Sequence, residues 1–143
     1  MNRRQILVAG LGVAIVPAAS ATPAEMDAAV REFTGGAPVR EGKVSFEIAP
    51  LVENGNTVPI VVGVDSPMTA TDFVDAIAVF NAGNPQPQVV VFRLGPRAGR
   101  ALVNTRIRLA TSQTLIAVVR LNDGSHWSKR VDVIVTLAAC VES

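Results

Sequence analysis

The chain holds one thiol, Cys140, within the closing run Ala138-Ala139-Cys140-Val141-Glu142-Ser143. Chain ends are generally exposed, so a thiol there can enter a pocket on another protein. As thiolate it attacks a disulfide-like sulfur or is captured by an oxidised partner. An apolar cysteine that merely completes the last strand is the other reading, and the residues alone leave both open. No base or obvious cation adjoins it in sequence, so its ionisation starts from the ordinary thiol value near about 8.5. The remaining polar candidates are weaker. His126 is the only histidine and, without Cys or His neighbours at ligand spacing, makes no zinc site; it reads as a surface or partly packed residue. Asp65, Asp72 and Asp75 match no calcium loop and read as turn and solvated-face residues. Arg93, Arg97, Arg100, Arg106 and Arg108 fall on or between two neighbouring strands. They form either a basic face for an acidic partner or anion, or a plain solvated sheet face. No phosphate loop, Ser-His-Asp set or separated carboxylate pair is present.

The elements that must carry these residues are mostly strands. Thr22-Pro23-Ala24-Glu25 is a capping box with proline at the first helical position. Met26, Ala29, Val30 and Phe33 follow at helical spacing until Gly35-Gly36, which predicts one helix of about three turns packed on a sheet. From Val44 the period becomes two. Val44-Ile48, Val58-Val64, Phe73-Phe80, Gln88-Leu94, Ala101-Leu109, Gln113-Leu121 and Trp127-Leu137 are the expected strands. Pro59 demands an edge or a strand start, and Asn122-Asp123-Gly124-Ser125 reads as a tight hairpin connection. Ala101, Val103, Thr105, Ile107 and Leu109 share one face of the most regular strand, opposite Asn104, Arg106 and Arg108. Seven short strands with turns between them predict an all-β, immunoglobulin-like two-sheet sandwich with a short N-terminal helix. No helical pattern separates the strands, which argues against a βαβ architecture.

Length and composition agree. At 143 residues, 49% hydrophobic and 17% charged, the chain is one folded domain rather than a disordered one. With aromatics at 4% and no tyrosine, Val, Ile, Leu and Ala must fill the core. Residues 1–21 are set apart from the fold. Arg3-Arg4 precede an apolar run from Ile6 to Val16 that is too short to span a bilayer, and Ala19-Ser20-Ala21 is a small-x-small cleavage pattern. This is the form of a secretory signal, and the paired arginines point to the twin-arginine route; an ordinary signal with two basic residues is the alternative. Cleavage after Ala21 removes Arg3 and Arg4, takes the net charge from +1 to −1 and leaves 122 residues. No basic stripe then argues for nucleic acid, and no membrane segment remains.

Several stretches together resemble one family. These are Val58-Pro59-Ile60 through Asp65-Ser66-Pro67-Met68-Thr69, Phe80 with Asn84-Pro85-Gln86-Pro87, and Thr105-Arg106-Ile107-Arg108-Leu109-Ala110. Gln113-Thr114, Val118, Asp123-Gly124-Ser125 and the terminal cysteine continue the pattern. In their order and spacing they resemble the SoxY family, the substrate-carrier subunits of the periplasmic thiosulfate-oxidising Sox system. The resemblance implies that Cys140 carries sulfur intermediates as covalent adducts while separate enzymes load, oxidise and hydrolyse them. It implies a heterodimer with a SoxZ-like subunit and transient contact with other Sox enzymes, and neither a cofactor nor a metal. The family tail is typically Gly-Gly-Cys-Gly-Gly. Here Ala138-Ala139 and Val141-Glu142-Ser143 replace the glycines, giving up backbone freedom and placing a β-branch directly after the thiol.

The resulting expectation is a signal over 1–21, a sandwich over 22–137 and a carrier arm over 138–143 formed by Ala138, Ala139, Cys140, Val141 and Glu142. The protein is expected to be a periplasmic, non-enzymatic covalent sulfur carrier. The alternative is an exported sandwich that serves as an interaction module with a dispensable cysteine.

Overall fold

Thr22 starts the first element as its neighbours dictate. In the computed structural model, which describes residues 20–139 together with Gly10 and Gly12, Thr22 Oγ1 accepts from the Glu25 N–H at 3.2 Å. Glu25 Oε2 accepts in return from the Thr22 N–H at 3.3 Å, so two otherwise orphaned helix donors are satisfied together. Helix α1 runs Pro23–Thr34 and stops where Gly35 takes a left-handed φ of 66°. Met26 and Val30 are buried on its inner face, with Ala29 and Phe33 packed beside them.

The strands are β1 Val39–Glu41, β2 Val44–Glu47, β3 Leu51–Val52, β4 Val58–Val64, β5 Val74–Asn81, β6 Gln88–Arg93, β7 Leu102–Ile107, β8 Gln113–Leu121 and β9 His126–Val135. The seven expected strands are all present, with ends that differ by no more than two residues. β1 and β3 were not expected: at three and two residues they are too short to show a period. Both pair parallel to β9, Val39 beside His126 and Leu51 beside Ile134. The large sheet has the order β1-β9-β8-β5-β6, with β3 also on β9; the small sheet is β2-β4-β7. The hairpin joining β8 to β9 closes through the Leu121 N–H to the Ser125 carbonyl, with Gly124 at φ 85°.

The layers follow from which faces are apolar. Ile77 and Val79 of β5 face Leu115, Ala117 and Val119 of β8 in a core shared with Val58, Ile60 and Val62 of the small sheet. The opposite face of the same strands, Ala78, Phe80, Ile116 and Val118, is covered by α1. The arrangement is thus helix, large sheet, small sheet. Pro59 is tolerated in the middle strand of the small sheet because β2 reaches only to Val61, leaving Pro59 opposite Arg106 of β7 alone.

His126 is more deeply buried than its position after a turn suggested. It is 4% exposed, between Val39 of β1 and Arg120 of β8, with Phe33 edge-on at 6.1 Å. Neither ring nitrogen has a hydrogen-bond partner. A buried neutral imidazole without partners costs a few kcal/mol, and a charged one far more. Burial, then the nearby Arg120 guanidinium, accordingly lowers its pKa from 6.5. Because the folded state resists a proton that the unfolded chain accepts, His126 penalises the fold only as pH falls below about 6.5. Urea midpoints should decline from pH 7.5 to 5.5, and His126→Phe should flatten part of that decline; an unchanged slope would contradict the assignment.

Candidate functional site

β6, at one edge of the large sheet, and β7, at one edge of the small one, face one another across an open groove of about 470 Å³. Gln88, Val89 and Val90 form one wall and Thr105, Arg106, Ile107 and Arg108 the other. Asn81, Asn84 and Gln86 close one end, where Ala139 also reaches the lining.

That end is built by two asparagines. Asn81 is fully buried, and its side chain is satisfied on both sides. Nδ2 donates to the carbonyls of Gln86 at 2.6 Å and Pro87 at 3.3 Å. Oδ1 accepts from the Gly83 and Asn84 amides. The turn 81–87 therefore folds around one amide group. Asn84 ties it to the small sheet: Nδ2 donates to the Arg108 carbonyl at 2.8 Å, and Oδ1 accepts from the Ala110 N–H at 2.9 Å. The sequence marked Asn84 only as part of the family-like stretch Asn84-Pro85-Gln86-Pro87 and gave no role to its side chain, because the atoms it holds lie up to 29 positions away.

The C-terminal stretch meets the same corner through a backbone clasp. The Gly55 N–H donates to the Leu137 carbonyl at 2.7 Å, the Leu109 N–H to the Gly55 carbonyl at 2.8 Å, and the Ala139 N–H to the Leu109 carbonyl at 3.0 Å. Ala139 is 6% exposed, whereas Leu137 stands largely in solvent. Gly55 is required by space: a Cβ there would lie 2.4 Å from the Leu109 oxygen and 2.8 Å from the Ala139 nitrogen. The signal for it in the sequence is the turn-forming run Asn54-Gly55-Asn56, in which Asn54 Oδ1 accepts from the Asn56 N–H.

Of the expected arm, Ala138 and Ala139 are described, while Cys140, Val141 and Glu142 lie outside the described residues, as does most of segment 1–21. Ala21, the last residue of that segment, is buried, and its N–H donates to the Asn84 carbonyl at 2.7 Å. Arg93, Arg97, Arg100, Arg106 and Arg108 are all exposed, on β6, on the crossover that contains the 3-10 turn Pro96–Ala98, and on or just beyond β7. None forms an ion pair among the described residues; the pairs found are Arg120–Asp75 at 2.8 Å and Arg130–Asp27 at 3.2 Å. Asp65, Asp72 and Asp75 do not gather as metal ligands, and no other such group exists among the described residues.

Comparison with known proteins bears on this geometry directly. The sequence profile described as sulfur oxidation protein SoxY matches residues 30–140. The sulfur carrier protein SoxY from Chlorobium limicola f thiosulfatophilum is similar in structure, with a TM-score of 0.67 and 27% identity over 80% of this chain and 98% of that one. A superoxide reductase (neelaredoxin) from Ignicoccus hospitalis shares the fold alone, at a TM-score of 0.59 and 17% identity over 80% and 94% of the two chains. No curated protein matches in sequence.

The clasp gives a direct test. Gly55→Ala forces the Leu109 carbonyl and Ala139 apart, and overpacking of this kind costs about 1–3 kcal/mol. The variant should unfold at a lower denaturant midpoint and exchange the Ala139 amide faster than wild type. Equal exchange at Ala139 would show that the clasp does not hold the C-terminal stretch.

Proposed function

The chain belongs to the SoxY family of sulfur oxidation proteins, and from that premise we propose that it carries sulfur intermediates covalently on Cys140 in the periplasm. Family and fold make it a carrier in sulfur oxidation; the attachment point and the compartment are our reading. The observation that carries it is that the region matched to the family extends to residue 140, the chain's single cysteine. The clasp supports it as well. Consecutive Cα atoms are about 3.8 Å apart, so the cysteine follows directly on an alanine fixed at the end of an open groove.

The chemistry is oxidative conjugation. The Cys140 sulfur forms a sulfur–sulfur bond with thiosulfate, sulfide or a related species. The thiol proton goes to water, and two electrons leave to an acceptor held by a partner enzyme. Loading, oxidation and hydrolysis take place in those enzymes, and this chain supplies the thiol and its placement. A SoxZ-like subunit is the proposed partner in a heterodimer. The free edges of β6 and β7 and the exposed Leu51, Leu102, Ile134 and Leu137 offer it surface, since unpaired edges and apolar patches are where partners dock.

Intact-mass analysis of protein isolated from thiosulfate-metabolising cells should show sulfur-containing additions that a reductant removes. Cys140→Ser should lose them and stop the dependent oxidation while still co-purifying with a SoxZ-like subunit. Full oxidation by the serine variant would transfer the function to the sandwich as an interaction module.

Export is the second part of the proposal. Arg3-Arg4 and the apolar run behind them suit the twin-arginine route, which carries folded cargo. Cleavage after Ala21 must first release the contact of Ala21 with Asn84, and it leaves Thr22 in place as the helix cap. Replacing both arginines with lysine should hold the precursor in the cytoplasm, and the exported wild type should begin at Thr22 on N-terminal sequencing. Undiminished export of the double variant would remove this route.

A further inference from the structure

We propose that the outer edge of β7 is a strand-addition site for an extended acidic segment of a partner protein. The segment pairs antiparallel with Leu102, Asn104 and Arg106 and sets its carboxylates beside Arg106 and Arg108. The register of the small sheet assigns this edge. The Val64 N–H donates to the Ala101 carbonyl at 2.9 Å, so Ala101 turns its backbone toward β4, and such directions alternate along an antiparallel strand. Val103, Thr105 and Ile107 share that direction. Leu102, Asn104 and Arg106 therefore point N–H and C=O away from β4. Pro59, which has no N–H to donate, lies opposite Arg106 and fits the same alternation. The Arg108 carbonyl, next in the outward series, accepts from Asn84 Nδ2 at 2.8 Å. No backbone group among the described residues meets the three before it. A row of this kind is a template for another backbone.

Charge and alternation then select the occupant. Between Asp75 and Asp123 the sequence holds six arginines and no acidic residue. Arg120 is paired with Asp75, whereas the five on β6, β7 and their crossover have no ion pair among the described residues. Those five carry +5 in a chain of net charge +1, so the remaining residues are net negative and the positive charge is gathered on one flank. Directly opposite residues of antiparallel strands share a face. Asn104 and Arg106 are exposed while Val103 and Ile107 are buried, so residues paired with the former face solvent beside the guanidinium groups. The residues between them face inward, toward Val89, Val90 and Ile107 of the groove. The edge is accordingly matched by acidic and apolar residues in alternation. Nucleic acid or an anionic membrane would answer the charge, but neither offers the alternating amide donors and carbonyl acceptors that a strand edge pairs with.

This goes beyond the carrier reading and does not rest on it: the test contains neither the thiol chemistry nor a second subunit, so failure of either leaves the other standing. The probe is a fluorescein-labelled hexapeptide of alternating glutamate and valine with blocked ends, read by anisotropy against the full chain. It should bind wild type, and less tightly as salt rises. An exposed ion pair changes affinity by up to about five-fold, so Arg106→Gln/Arg108→Gln should weaken binding about three- to ten-fold. Arg31→Gln/Lys129→Gln removes equal charge from exposed positions elsewhere and should leave the affinity unchanged. N-methylation of the peptide separates strand pairing from charge without altering the protein. Methylating the glutamate amides removes the donors that face β7 and should cost at least about ten-fold, whereas methylating the valine amides should cost little. Absence of peptide binding, equal loss from the two methylation patterns, no loss from the arginine substitutions, or binding to phosphatidylglycerol vesicles in place of the peptide would overturn the proposal.

Discussion

A strand that is apolar on both faces must be covered on both faces, and β5 imposes that requirement on the whole fold. Ala76 to Phe80 are each 0% exposed, with no polar face to turn toward water. Water is excluded on one side by the small sheet and on the other by α1. Burying a side chain such as Ile77 or Phe80 contributes roughly 1.5–3 kcal/mol, more than the helix gains from its caps, so the helix is kept by the sheet it covers. The capping box then fixes where the helix begins, and Gly35 where it ends. β8 shares both covers, and β9 continues the sheet to the edge where β1 and β3 attach.

The same constraint leaves a flank open. The small sheet has three strands against the larger one, and the crossover from β6 to β7 passes at one end only, through the turn Pro96–Ala98. Val90 and Phe92 of β6 are thus only partly covered, although they pair with the fully buried Val79 and Ile77. At the other end, Asn81 and Asn84 seal the gap with amide hydrogen bonds rather than apolar contacts. A turn built on buried, fully paired polar groups is rigid, because each group left unpaired costs about 1–3 kcal/mol. The groove consequently has one fixed end, and that is the end to which the C-terminal stretch is clasped.

Local signals were legible in the sequence and distant ones were not. The helix, with Thr22 and Glu25 at its start, depends on residues three positions apart, and the alternation of Ala101 to Leu109 needs no partner to be seen. The two-sheet class followed from the sum of such runs. The family resemblance is matched by the profile, which runs over residues 30–140. β1 and β3 were hidden because their stability comes from β9, some 80 or more positions away. His126, expected to be at the surface or partly packed, is more deeply buried for the same reason, since β1 and Phe33 cover it. Gly55 gave only a turn signal; the need for glycine arises from three carbonyl and amide groups brought together from 109, 137 and 139.

Fixing the chain at Ala139 changes what the alanines of this tail do. Glycine before a carrier thiol is useful where the backbone must rotate, and a Cβ then narrows the accessible conformations. At Ala139 the backbone is already held by its N–H to Leu109 and the residue is buried. Its methyl group therefore restricts a bond that is not free and adds apolar contact at the groove. The hydrogen bond itself is made by the main chain and would form with glycine or alanine alike, so the clasp depends on Gly55 rather than on the tail. Ala138 is exposed between two anchored carbonyl and amide groups, where a small side chain meets no opposition. The substitutions that the clasp does not account for are those after the thiol, Val141 and Glu142, which put one apolar and one charged side chain where the resembled family tail has none.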